Sequence, residues 1–128
     1  MQRLRGKRSG DSEKNSLLST LMERLPGAWF SPTQNELVAL YRLRCKMAMD
    51  EEKFDIALIF LNKILEVDPL DLEAKLQKGE LYHRHLGDYS RAIEQYNKVI
   101  RLTTDREGAA TLHRKARTSL MEIMELLS

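Results

Sequence analysis

An all-α fold of stacked antiparallel helix hairpins follows from three observations. Apolar residues recur at three- and four-residue intervals in six separate stretches, the spacing of a helix buried along one face. No stretch of useful length alternates with period two, so strands are excluded. Small residues recur 34 and 35 residues apart at matching points of successive helices, which makes the hairpins copies of one unit. At 128 residues, 42% apolar and 31% charged, the chain is one domain's worth. A domain of this size buries roughly two thirds of the surface its unfolded form exposes.

Residues 1–15 carry a cluster of basic side chains with Gly6 and Gly10, and one large apolar side chain beyond Met1. Nothing there offsets the entropy of ordering, and a flexible basic tail is expected. Over residues 16–30 the spacing of Leu17, Leu18, Leu21, Met22 and Leu25 predicts a short amphipathic helix, stopped by Pro26-Gly27 and followed by Trp29 and Phe30. Ser31-Pro32-Thr33-Gln34 then reads as a helix start, with Ser31 as N-cap, Pro32 as first helical residue and Gln34 completing a capping box. That helix runs through Tyr41 and Cys45 to about Met49, where residues 50–53 turn the chain. The next buries Phe54, Ala57, Leu58, Leu61, Ile64 and Leu65 and is halted at Asp68-Pro69, because proline disfavours a helical residue ahead of it. A helix from Leu70 to about His85, a turn at Gly87-Asp88-Tyr89, a helix carrying Ala92, Ile93, Tyr96, Val99 and Ile100, and a final helix with Leu112, Ala116, Leu120, Ile123 and Leu127 on one stripe complete the chain.

The recurrence is specific. Cys45 and Gly79 are 34 residues apart in the first helices of two hairpins, and Ala57 and Ala92 are 35 apart in the second helices. With Tyr41, Leu61 and Pro69 around the first pair, and Tyr82, Tyr96 and the Gly87-Asp88-Tyr89 turn around the second, residues 38–104 resemble the tetratricopeptide repeat (TPR) family. The small residues let paired helices approach closely while the large ones fill grooves between hairpins. The resemblance implies a fragment of a right-handed α-solenoid, with repeat 1 over 31–71, repeat 2 over 72–105, and capping helices over 16–30 and 106–128 that shield the open ends. Four positions depart from the pattern: Lys75 stands at an aromatic site, Ala48 at a large-residue site, Thr104 at the closing proline, and one extra residue lies between Gly79 and Ala92.

Stacked hairpins present their first helices on a concave surface. Its expected lining is Arg42, Lys46 and Met49 from the first hairpin, Leu76, Glu80, His83 and Arg84 from the second, and His113 and Arg117 from the last helix. A mixed surface with basic ends suits a peptide or helix bearing carboxylates, which arginine binds bidentately. One TPR subset clamps a C-terminal carboxylate with lysines and asparagines. Arg42 and Arg114 could stand for two of those residues, but Lys46, Gln77 and Ala110 occupy the other places, and that ligand is not assigned.

The expected function is therefore non-catalytic protein binding, as an adaptor, scaffold or co-chaperone without a cofactor. No phosphate loop, nucleophile elbow or paired-carboxylate site is present. His83 and His85, two apart on a helix, point to different faces and lack a ligand set for metal. Cys45 sits at a small-residue packing site, which argues against a nucleophile, and a lone cysteine forms no internal disulfide. Of 21 basic and 19 acidic residues, five and two lie in residues 1–14, so the remainder carries −1. A body without a basic field is a poor duplex nucleic-acid binder. No apolar run is long enough to span a bilayer and no secretory signal is evident, so a cytoplasmic location is expected. Two alternatives stay open: a homo-oligomeric assembly module, or a membrane-surface or nucleic-acid accessory factor acting through the basic tail.

Overall fold

The computed structural model describes residues 31–128, and five α-helices occupy them: α1 (Gln34–Asp50), α2 (Phe54–Val67), α3 (Leu72–Leu81), α4 (Tyr89–Thr103) and α5 (Ala110–Leu127). The expected tail at 1–15 and capping helix at 16–30 lie outside the described residues. α1 packs on α2 and α3 on α4 as antiparallel hairpins, and α5 packs against α4 and, more lightly, α3. Residues Gln34–Ser128 form one compact unit. The all-α stacked-hairpin architecture is the one the sequence predicts.

Helix ends follow local chemistry, with one shift from expectation. α1 begins at Gln34, so Ser31 and Pro32 precede the helix and Thr33 takes the capping place. Thr33 and Glu36 have the spacing of a capping box, a signal two residues beyond the one read at Ser31. α2 stops at Val67 ahead of Asp68-Pro69, and the Asp68 carboxylate accepts from Leu70 N–H at 3.1 Å. Asp71 caps α3 by accepting from Ala74 N–H at 2.9 Å, and Asp88 caps α4 through Arg91 N–H at 3.1 Å. These carboxylates satisfy amide donors that a helix start leaves without intrahelical partners.

The expected continuous helix to His85 is instead α3 followed by a π-helical turn over Tyr82–Leu86, closed by Gly87 at φ 66°. A π turn holds one more residue than an α turn. It absorbs the residue by which the Gly79 to Ala92 spacing exceeds the Cys45 to Ala57 spacing, so both small-residue sites stay in register. Ala57, Ala92 and Ala116 are fully buried.

The core forms two clusters. Cys45, Ala48, Ala57, Leu61, Ile64, Ala74 and Leu81 fill the space between the first hairpin and α3. Leu76, Tyr82, Ala92, Tyr96, Val99, Ala116 and Ile123 join the second hairpin to α5, with Leu58 packed against both clusters. Ala116 and Ile123 seat α5 against the second hairpin.

Candidate peptide-binding groove

A groove of about 490 Å³ runs between α1 and α3. Arg42, Lys46 and Met49 form one wall and Gln77, Glu80, Arg84 and His85 the other, over a floor of Cys45, Leu61 and Leu81. Five of the nine predicted residues, Arg42, Lys46, Met49, Glu80 and Arg84, therefore line one cavity. The walls carry the charge and the floor is apolar, a combination that anchors an apolar side chain and orients its polar neighbours.

Of the other four predicted residues, two are buried. Leu76 is buried, packed into the second core cluster. α3 hands it to the next helix layer, a position that repeat register alone does not separate from a groove position. His83 is only 9% exposed; its Nδ1 lies 3.1 Å from the Tyr96 hydroxyl, and its ring meets Tyr96 edge-on. The cause is helical register: His83 stands seven residues after Leu76 and four after Gly79, so it shares their inward face, and Gly79 and His83 both meet Tyr96. His85 takes the groove position instead and stacks on Phe54 with ring centroids 4.1 Å apart. Gln77 and His85 are the groove residues that sequence reasoning missed. Helical spacing was the available signal, since Gln77 and His85 each stand four residues from Leu81.

His113 and Arg117 are brought together at a second, more open cavity of about 790 Å³, bounded by residues 103–107 and α5. The Thr103 hydroxyl lies 2.8 Å from His113 Nδ1 and helps seat that side chain. Arg114 lines the same cavity. The predicted concave lining is thus split between two sites.

Charges in the groove are partly committed. Arg42 pairs with Asp71, the α3 cap, while Lys46 pairs with Asp50 at 3.3 Å, both side chains exposed. Arg84 reaches Glu122 on α5 at 3.6 Å, with both side chains nearly half exposed. Exposed pairs of this kind hold their partners weakly and yield readily to a ligand carboxylate. Burial raises the Cys45 thiol above its ordinary 9.0, against a smaller lowering pull from Arg42. A protonated, buried thiol is a packing group and a poor nucleophile. Among the described residues no group of three or more His, Cys, Asp or Glu side chains could hold a metal ion, and no helix is long and apolar enough to cross a membrane.

His83 gives this layer a pH dependence. Burial lowers its pKa from the ordinary 6.5, Arg84 adds to the lowering, and Glu122 and Glu80 oppose it. The unfolded chain then binds a proton at higher pH than the folded one, so folding stability falls as pH drops below about 6.5. Urea unfolding between about pH 7 and pH 5 is expected to show that loss, and His83→Gln to remove His83's share of it. An unchanged slope in the variant would assign the acid sensitivity elsewhere.

The fold and groove together define the class: an all-helical domain of stacked helix pairs in a helical-repeat arrangement, with a charged-walled cleft between two first helices. The sequence matches no protein-family model and no curated protein.

Proposed function

We propose that this chain is a two-repeat, tetratricopeptide-like module that binds another protein without catalysing a reaction, taking a short acidic peptide in the groove between α1 and α3. The observation that carries the reading is the lining of that groove. Lys46 and Arg84 stand on opposite walls above the apolar floor of Leu61 and Leu81, with Glu80 as the one carboxylate among the lining residues. A peptide that sets an apolar side chain on the floor and carboxylates against the two walls complements shape and charge together. Small residues at Cys45, Ala57, Gly79 and Ala92, all buried, support the tetratricopeptide assignment over other helical bundles. An adaptor, scaffold or co-chaperone role in the cytoplasm accords with such a module.

Selection from a random displayed peptide library tests this with the full chain and a Lys46→Glu/Arg84→Glu variant. Both side chains are exposed and their ion pairs contribute under about 1 kcal/mol each, so the variant keeps its helical circular dichroism. Acidic peptides enriched by the unmodified chain should bind the variant at least about tenfold more weakly. Enrichment of peptides without carboxylates, or equal binding by the variant, would remove the groove as the site.

A further inference from the structure

We propose that α5 is a self-complementary docking surface, on which a second copy of this chain packs antiparallel, helix against helix. Each of the first two layers is a hairpin, α1 with α2 and α3 with α4, whereas α5 packs on α4 and, more lightly, α3, with no helix of its own paired to it among the described residues. Its far side carries an exposed stripe of Arg114, Thr118, Met121 and Glu125. Their spacings of four, three and four residues place them on one line, and the eleven-residue step from Arg114 to Glu125 is about three turns, about 16 Å. Met121 is 58% exposed and Met124 beside it 56%, giving the stripe an apolar centre.

The order of charge along the stripe selects the occupant. It runs from a base through a methionine to an acid. Turning a second copy by 180° about an axis midway between Thr118 and Met121 sets each Arg114 against Glu125 of the other copy, and each Met121 against Thr118. Both ends are then oppositely charged and the apolar centre is covered, and the antiparallel helix dipoles add to the fit. Neither Arg114 nor Glu125 has an ion pair among the described residues, so both are open to such contacts. A uniformly acidic peptide would meet repulsion at Glu125, and an anionic lipid surface would meet it at Glu122 and Glu125 beside the exposed leucines Leu126 and Leu127. The chain itself supplies the mixed pattern.

Sedimentation velocity of the full chain from about 1 μM to about 1 mM, a range bracketing weak association, tests the proposal. The 14.9 kDa species should shift toward twice that mass, less so in added salt. Arg114→Glu and Glu125→Arg should each weaken self-association at least about tenfold, since each places like charges at both ends of the pair. An equimolar mixture of the two variants should associate again, because the mixed pair has opposite charges at both ends; that recovery also shows both variants are folded. A monomer at every concentration overturns the proposal and leaves the stripe to another partner or none. So does undiminished association of the single variants, or a mixture that stays monomeric.

Discussion

Replacing Gly79 by alanine is expected to lower stability by about 1–2 kcal/mol, and by valine about 3 kcal/mol, although helix propensity alone favours alanine by about 1 kcal/mol. Gly79 lies in the interior of α3 with ordinary helical backbone, so its conformational freedom is not the reason for its presence. Space is. A Cβ there would stand 2.8 Å from Cε1 and 3.0 Å from Cδ1 of Tyr96, and 3.3 Å from Cβ of Gln95. The Tyr96 ring cannot retreat, because it is fully buried and its hydroxyl is held by His83. Burial pushes the Tyr96 phenol up to about 12, against the lowering effect of a hydrogen bond with Ser119. Displacing the ring therefore disturbs polar contacts that reach both His83 and α5. Urea unfolding followed by circular dichroism measures the loss. Gly87→Ala is the control: that residue has φ 66° and nothing within 4 Å of a built Cβ, so alanine there costs backbone strain alone, about 1 kcal/mol. A Gly79→Ala variant more stable than the unmodified chain would show that α3 and α4 have room to separate.

The same residue shows why so much of this fold was legible in the sequence. Close helix approach demands small side chains at fixed points, and Cys45, Ala57, Gly79 and Ala92 announce those points regardless of what surrounds them. The carboxylates of Asp71 and Asp88 cap helix starts for an equally local reason, and Asp71 moves the start of α3 two residues beyond the Leu70 expected from apolar spacing. The candidate site was less legible because it depends on rotation about a helix axis. His83 shares the inward face of Leu76 and Gly79, while Gln77, Leu81 and His85, four residues apart in turn, share the groove face. Leu76 has the register of a groove residue and the chemistry of a core residue; its chemistry decided, because a neighbouring helix was within reach. The division of the basic surface into two cavities depends on the path of residues 103–107, where Asp105 takes φ 58° and Gly108 φ 82°. Such turns are set by contacts of the whole hairpin stack more than by their own composition.

The two proposed surfaces are separable by experiment because they share no side chain: the groove uses Lys46 and Arg84, and the α5 stripe uses Arg114, Met121 and Glu125. Arg84 does touch α5 through Glu122, at 3.6 Å and in an exposed setting. That contact is too weak to couple the sites strongly. Self-association through α5 therefore leaves the groove open in each copy, and a dimer would offer two such grooves to one partner. Two linked sites raise apparent affinity through effective concentration without any new contact.

The second large effect lies at Asp71, and it governs how the groove can be probed. Asp71→Ala is expected to cost about 2–3 kcal/mol. Roughly 1 kcal/mol is the lost cap of α3, whose Ala74 amide would have no acceptor in Asp71. The rest comes from Arg42. Asp71's side chain is 9% exposed and Arg42's 33%, so this pair is shielded from water far more than the other ion pairs of the groove. Arg42 Nη1 is already buried without a hydrogen-bond partner, and removing Asp71 would strip the guanidinium of its counter-charge as well. A double-mutant cycle with Arg42→Met separates the two parts. Stability of the four chains in urea should give a coupling of about 1–2 kcal/mol between Arg42 and Asp71, while the capping loss persists in the Arg42→Met background. A strong coupling means that Arg42 is a structural strut clamping α1 to the start of α3, and that charge reversal at Arg42 would weaken peptide binding by loosening the groove wall. Binding measurements must then rest on Lys46 and Arg84. A coupling near zero would instead mean that Arg42 is held loosely by Asp71 and is free to turn toward a ligand carboxylate, making it a third cation of the binding surface.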